Sequence, residues 1–171
     1  MSQELIIAPA VKGPWGVTTK TAGPCDVDGR RFRMPPEARK ADALLRRGAI
    51  ALGANGDRRR RLRLAECCFL EAVDILVDTV EAVHPFVAYA MDRLGLACQM
   101  QEQLDRAERL YVKSLALWRK GGWAATSWTE VTLLNLAILY RCQGRRDEHA
   151  AVMREFRSLS PTSGQDVTRE D

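Results

Sequence analysis

The chain has 171 residues, of which 46% are hydrophobic and 28% charged, and its formal net charge is +4. This length and composition fit one folded globular domain. An apolar run near the start, residues 5–11, is short, contains Pro9 and follows Glu4, which argues against a signal peptide. Because no apolar run reaches the roughly 18 residues that a membrane span needs, the sequence excludes a membrane span and predicts a cytoplasmic protein.

The five cysteines fit neither a disulfide framework nor a zinc site. Their number is odd and no Cys-x-x-Cys occurs among them: Cys25, Cys67, Cys68, Cys98 and Cys142. We therefore expect small apolar core side chains in a reducing compartment.

Positive charge is concentrated at the beginning of the chain. Residues 1–63 hold 14 Lys and Arg against 6 Asp and Glu, whereas residues 64–171 hold 12 against 16. Much of the excess lies at a predicted helix start, where the helix dipole disfavours cations, in Arg58, Arg59, Arg60, Arg61 and Arg63. This basic patch suits an acidic filament surface or a weak contact with an anionic membrane, or it is a solvated helix end. Nucleic acid is disfavoured, since no stacking aromatics are interleaved with the run.

Six helices are predicted in chain order. Residues 1–36 are too rich in Pro and Gly for a long helix and are expected to form an extended arm that packs on something. Apolar residues then recur at three- and four-residue steps. The predicted helices cover about residues 36–53, 57–82, 85–100, 104–120, 127–143 and 146–158. Ser127 and Glu130 predict a capping box for the fifth helix, and residues 159–171 form a polar, disordered tail.

The helices form three pairs with a period of 42 residues. Phe69, Tyr111 and Met153 are spaced by 42. Small residues are expected where helices cross closely, and large ones where they fill the gap between pairs. Two further sets share the spacing: Ala65, Ala107 and His149, and Ala72, Ser114 and Phe156.

This pattern resembles the tetratricopeptide repeat (TPR) family. The middle pair carries its signature residues in Leu94, Gly95, Ala107, Tyr111 and Ser114, and the last pair carries some of them in Leu136, Ala137, Tyr140 and Gly144. The usual period is 34, whereas 42 is similar to the kinesin-light-chain branch, as are the segments HPFVAYA and TLLNLAILYRCQG. The resemblance is weakest in the first pair, where Gly48 takes the small position. It implies an all-α fold, a right-handed TPR solenoid of three helix-turn-helix pairs over residues 37–158.

The resemblance also implies a concave groove that is lined by the first helix of each pair and holds a segment of another protein. Its positions fall on Arg46, Tyr89, Asp92, Arg93, Leu96, Gln99, Asn135, Ile138 and Arg141. In such proteins the amide at the position of Asn135 can bond a peptide backbone, and the arginines could face carboxylates. The alternative is that these are solvent-facing polar residues with no ligand.

Two further features leave alternatives open. Val152, Met153 and Phe156 on the last helix lack an obvious cover, so this helix could form a homodimer, bind a partner or receive the N-terminal arm. Trp123 and Trp128 in the preceding loop could anchor an interface or pack against helix ends.

We find no motif that predicts catalysis. The sequence has no phosphate-binding loop, nucleophile elbow or zinc spacing, and His84 and His149 are expected to be structural. We therefore predict no enzyme activity, no metal and no cofactor, and a TPR adaptor or scaffold that binds another protein.

The compact, Arg- and Ala-rich sequence is typical of bacteria. The chain resembles the bacterial kinesin light chains, which accompany tubulin-like proteins, so the resemblance implies a bacterial tubulin filament as a candidate partner. One alternative is a TPR chaperone that holds a peptide of a secretion or assembly client. Another is a peripheral membrane or nucleic-acid linker that acts through the basic first repeat.

Overall fold

The structure is a computed structural model and describes residues 35–81, 83–124 and 126–159. A 3-10 turn, Pro36–Ala38, leads into six α-helices: α1 (Arg39–Gly53), α2 (Arg58–Thr79), α3 (Pro85–Met100), α4 (Leu104–Lys120), α5 (Ser127–Cys142) and α6 (Arg146–Leu159). All six predicted helices are confirmed. Within the described ranges there is no strand, and no helix is long and apolar enough to cross a membrane. Most of the predicted arm and the tail beyond Leu159 lie outside those ranges.

Two helices begin at a side chain that accepts a backbone hydrogen bond. At the start of α2, Asp57 Oδ1 accepts from the Arg59 amide at 2.9 Å. At the start of α3, His84 Nδ1 accepts from the Phe86 amide at 3.2 Å, and Pro85 occupies the first helical position. Such caps satisfy amides that have no partner within the helix, so they fix where each helix begins.

The predicted capping box of α5 is wrong. The residue before the helix is Thr126, it makes no side-chain cap hydrogen bond, and Ser127 already lies inside α5. The Thr126 and Thr129 hydroxyls instead donate to the Trp123 carbonyl, at 2.8 and 2.9 Å. These hydroxyls therefore fasten the preceding loop to the first turn of α5, because a loop carbonyl lies within their reach.

The helices pack in two layers. Each pair is closed by contacts of α1 with α2, α3 with α4 and α5 with α6, and α2 contacts α3 as α4 contacts α5. The first helices of the pairs also meet, α1 against α3 and α3 against α5, whereas in the described ranges α2 and α4 are not in direct backbone contact, nor are α4 and α6. The first helices touch one another while the second helices are spread apart, so the array curves. The first helices α1, α3 and α5 form its inner, concave layer, and the second helices α2, α4 and α6 form its outer layer.

Close packing in the first two pairs depends on a glycine that faces an aromatic ring. A Cβ at Gly48 would lie 2.5 Å from Phe69 Cε1, and one at Gly95 would lie 2.8 Å from Tyr111 Cε1. Both rings are fully buried. The predicted close crossings therefore lie where the small residues stand.

The turns inside the second and third pairs have the same geometry. Glu102 and Gly144, which are 42 residues apart in the sequence, adopt left-handed φ values of 65° and 73°. In each turn the next amide bonds a carbonyl of the preceding helix, at 3.0 Å for Gln103 and 2.9 Å for Arg145. This is the αL helix ending that glycine adopts most easily, and a glutamate occupies it in the middle pair.

Candidate partner-binding groove

The inner layer carries three equivalent polar side chains, one on each first helix. Arg46 on α1, Arg93 on α3 and Asn135 on α5 each stand two residues before the small residue of their helix. Arg46 is exposed and bonds Asp42 one turn earlier, with 2.8 Å between Nη2 and Oδ2. Because α1, α3 and α5 adjoin in this order, the three side chains define one row across the inner layer.

Asp92 joins two members of this row. Its Oδ2 accepts from Arg93 Nη2 at 2.5 Å, and its Oδ1 accepts from Asn135 Nδ2 at 3.2 Å. The Asp92 side chain is only 4% exposed. A buried carboxylate with both oxygens occupied by groups on α3 and α5 holds these helices together and fixes the two side chains that the sequence assigned to a ligand.

Arg93 is held in its charged form. Burial acts to lower its pKa, but several raising effects, of which the charge of the Asp92 carboxylate is the largest, together leave the pKa raised. The guanidinium lies over the Tyr89 ring, 5.4 Å from its centroid, which adds a cation–π contact. Its side chain stays 18% exposed, so it is not sealed off completely from solvent.

The remaining predicted groove residues fall into three environments. Leu96 and Ile138 are half-buried, and Arg141 is exposed near the end of α5. Gln99 is buried, and its Oε1 accepts from the Tyr111 hydroxyl at 2.9 Å. The structure therefore places Gln99 between α3 and α4, where it anchors the Tyr111 ring.

The predicted basic patch divides into two sets. Arg58 Nη2 donates to the Met100 carbonyl at 3.0 Å, and Arg61 Nη1 donates to the Leu52 carbonyl at 3.1 Å. These carbonyls end α3 and α1, where unsatisfied acceptors and the helix dipole favour a cation. The sequence run alone could not show this, since both carbonyls belong to other helices. The second set, Arg59, Arg60 and Arg63, is exposed and its side chains bond no helix carbonyl of the described residues.

Both tryptophans that the sequence placed in the loop pack inside the protein, and Trp128 lies in the first turn of α5 rather than in the loop. Trp128 is buried and stacks on the buried Trp118 with ring centroids 6.3 Å apart, and Tyr89 meets it edge-on at 5.5 Å. Trp123 is half-buried and lies edge-on to Trp118 at 6.0 Å. Of the two interpretations of this loop, packing against helix ends is the one that the structure supports. Trp118 was missed as part of this cluster because nothing in the sequence links it to the loop.

Both histidines have structural contacts. His84 caps α3, and His149 Nδ1 lies 2.9 Å from the Ala137 carbonyl. In the part of the chain that the structure describes, no group of His, Cys, Asp and Glu is arranged to hold a metal ion.

The cysteines only partly follow the prediction. Cys68 and Cys98 are buried as expected, and burial raises the pKa of Cys98 to about 11. Cys67 and Cys142 are exposed, so the prediction that they are core residues is wrong. Cys67 directly precedes Cys68, and neighbouring residues on a helix point in different directions. Cys25 lies outside the described residues.

The last helix is covered on one side only. No residue of α6 is fully buried, and Val152, Met153 and Phe156 are half-buried. An ion pair between Arg119 and Glu155 ties α6 to α4. As predicted, these three apolar side chains lack a complete cover among the described residues.

Comparison with known proteins agrees with this architecture. The sequence profile of the tetratricopeptide repeat matches residues 87–120, which run from α3 through α4. Two solved structures, the nearly identical TPR-like repeats of a Podosopora anserina protein assigned as a kinesin light chain and a single-residue variant of it, are 16% and 15% identical to this chain, each with a TM-score of 0.60. Each match covers 80% of this chain but only 62% of the other. No curated protein matches the sequence. The chain therefore carries a tetratricopeptide repeat at residues 87–120 and has the fold of the TPR-like repeats of the kinesin-light-chain type.

Proposed function

We propose that the chain is a non-catalytic adaptor that holds a segment of another protein in its concave groove. The observation that carries this proposal is the row of Arg46, Arg93 and Asn135 across the three adjoining first helices. Asp92 fixes two of these side chains before any partner arrives, which reduces the entropy lost on binding. Tetratricopeptide repeats are in general protein-interaction modules, and their curved arrays offer an extended concave surface.

The groove is best suited to an extended segment that carries carboxylates. Arg46 and Arg141 are exposed at the two sides of the inner layer, and Arg141 makes no ion pair with any described residue. Arg93 stays partly exposed between them and remains charged. Three cations and the Asn135 amide on the three first helices can bind carboxylates and peptide carbonyls of such a segment.

The partner we propose is a cytoskeletal filament, in the first instance a bacterial tubulin-like polymer in the cytoplasm. The likeness to kinesin-light-chain repeats supports a cytoskeletal partner, and buried free thiols such as Cys98 suit a reducing compartment. A client peptide of secretion or assembly machinery would use the same groove. Binding to intact polymer rather than to an unfolded client distinguishes the two.

The test is co-sedimentation with polymerised bacterial tubulin. Arg46→Glu with Arg141→Glu should lower the pelleted fraction to about a tenth, since two charge contacts become repulsive. Both side chains are exposed, so the melting temperature should fall only slightly, through loss of the ion pair between Arg46 and Asp42. The matched control is a reversal on the outer layer, Arg109→Glu, which should pellet like the parent chain. Absence of pelleting by the parent chain would contradict the filament, and equal pelleting of all variants would contradict the groove.

Arg93 needs a different substitution. Its removal alone would leave the Asp92 carboxylate buried without its counter-ion and would destabilise the fold by about 3–5 kcal/mol. The double change Asp92→Asn with Arg93→Gln removes both charges together. The double variant should weaken partner binding but lose much less stability than the single variant Arg93→Gln. Denaturant unfolding of the two variants measures this difference in stability.

A further inference from the structure

The outer helix α2 has an unusual order of charges. Its first six residues hold five arginines, whereas its second half holds acidic residues and no basic one. The helix dipole favours the opposite order, with anions at the start and cations at the end. Both ends of α2 are therefore electrostatically unfavourable within a single chain.

Four of the nine charged side chains of α2 have a partner inside the protein. Arg58 and Arg61 bond helix carbonyls, while Glu66 pairs with Arg106 and Glu71 with Lys40. The exposed charges of α2 whose side chains have neither an ion pair nor such a hydrogen bond with a described residue are Arg59, Arg60, Arg63, Asp74 and Asp78.

The unpaired charges also repel one another along the helix. Arg59 and Arg63 are four residues apart, and so are Asp74 and Asp78. Like charges at this spacing face each other and destabilise a helix. A surface that presents acids to the first half of α2 and bases to the second half would offset both repulsions.

Exposed apolar side chains lie between the two charged ends. Leu70 is 42% exposed and Val77 53% exposed, and the exposed Cys67 lies one turn before Leu70. At 100° per residue, these three share one face of α2 with Arg63 and Asp74. The face therefore has a basic end, an apolar centre and an acidic end along a helix of 22 residues, or about 33 Å.

We propose that this face of α2 docks antiparallel against α2 of a second copy of the chain, which forms a symmetric homodimer. To within one residue, Arg60 and Asp78 stand at equal distances from the middle of the helix, and so do Arg63 and Asp74. A two-fold axis through that middle brings Arg60 opposite Asp78 of the second copy and Arg63 opposite Asp74 of the second copy. Both pairs form twice, as an isologous interface requires, while Leu70 of each copy packs near the centre.

The mixed charge of the face argues against other occupants. An anionic membrane or a nucleic acid would be attracted to Arg60 and Arg63 but repelled by Asp74 and Asp78 on the same face. The last helix, α6, offers half-buried apolar side chains without such complementary order, so we assign self-association to α2.

Dimerisation through α2 leaves the groove free. The row of Arg46, Arg93 and Asn135 lies on the inner layer, whereas α2 belongs to the outer one. A dimer would thus present two grooves at once, which raises the avidity for a partner with repeated sites. The dimer itself does not depend on the proposed groove function.

The first test is sedimentation equilibrium of the full chain in low and high salt. One exposed helix pair is a small interface, so we expect a dimer with a Kd on the order of tens of micromolar that weakens in about 0.5 M salt. The variants R60D/R63D and D74R/D78R should each weaken it by about tenfold or more, because each turns attraction into repulsion. A chain that stays monomeric at about 500 μM in low salt would overturn the proposal.

Mixing the two variants gives the decisive measurement. The face of R60D/R63D is acidic at both ends, and the face of D74R/D78R is basic at both ends. In an antiparallel pair of the two variants, acids therefore meet bases at both ends. The mixture should form a heterodimer although neither variant dimerises alone. The quadruple variant R60D/R63D/D74R/D78R should dimerise again. These gains cannot arise from misfolding.

The control is an equal charge change on the neighbouring outer helix, R109D/K113D, which should dimerise like the parent chain. A dimer that resists all α2 variants, or one abolished by Phe156→Asp on α6, would place the contact elsewhere and overturn the proposal. Short bis-maleimide cross-linking under reducing conditions adds a second readout. It should link copies through Cys67, fail in Cys67→Ser and persist in Cys142→Ser.

Discussion

Helices α4 and α6 hold equivalent places in the middle and last pairs, yet they differ in burial. Five residues of α4 are buried, whereas α6 has none. Tyr111 and Ser114 are fully buried, but Met153 and Phe156, each 42 residues further on, are half-buried. The difference arises because α5 packs on α4, and no described element packs on α6 in the same way. A residue in a repeat array belongs to the core only when a following pair covers it.

The largest loss of stability that tests this difference between α4 and α6 is expected on removal of the Tyr111 ring. Tyr111→Ala should destabilise the protein by about 3–5 kcal/mol, since a fully buried aromatic leaves a cavity and Gln99 loses its hydrogen-bond donor. Met153→Ala at the equivalent place should lose only about 1 kcal/mol, because its side chain already meets solvent. Denaturant unfolding of Tyr111→Ala and Met153→Ala measures the two losses of stability. Equal losses would show that α6 is covered in solution.

Much of the fold could be predicted from the sequence, because helix periodicity, prolines and glycines act locally. The capping box failed although it concerns neighbouring residues, because α5 begins one residue earlier than the box requires and the hydroxyl of Thr126 bonds the Trp123 carbonyl three residues before it. In the groove, the row of polar positions followed from the repeat, but the pairing of Arg93 with Asp92 did not. Whether Asp92 bonds Arg93 and Asn135 depends on side-chain rotamers and on the distance between α3 and α5. Neither can be derived from the spacing of residues in the sequence.

The next largest loss of stability is expected where α3 and α4 cross closely at Gly95. Gly95→Ala would place a methyl group 2.8 Å from Cε1 of the fully buried Tyr111 ring, so the ring would have to shift. We expect a loss of about 1–3 kcal/mol. Gly53→Ala is the matched control at the end of α1, because a methyl group there would have no neighbouring atom within 4 Å. That variant should be neutral or slightly more stable in thermal unfolding.

Substitutions in the turns of the middle and last pairs should change the free energy of unfolding in opposite directions. Glu102→Gly should stabilise the protein by about 0.5–1 kcal/mol, because glycine adopts its left-handed conformation without steric cost. Gly144→Ala should destabilise it by about 1 kcal/mol for the same reason. Urea unfolding of the two variants and the double variant measures both effects. If both substitutions shifted stability in the same direction, the two turns would not share one conformation in solution.

The smallest effect concerns how the middle and last pairs begin. α3 is capped by His84, which can take up a proton, whereas α5 follows Thr126, which cannot. Burial lowers the pKa of His84 below its ordinary value of 6.5, although Glu81 acts to raise it. The folded state therefore binds this proton less readily than the unfolded state, so stability is complete above about pH 6.5 and decreases as the pH falls below it. We expect a loss of up to about 1 kcal/mol by pH 5.5, the size of one N-cap bond. His84→Asn keeps an acceptor at the cap but does not titrate, so its unfolding free energy should lack this decrease. If the parent chain and His84→Asn lose stability equally between pH 7.5 and 5.5, the Nδ1 cap of α3 is not formed in solution.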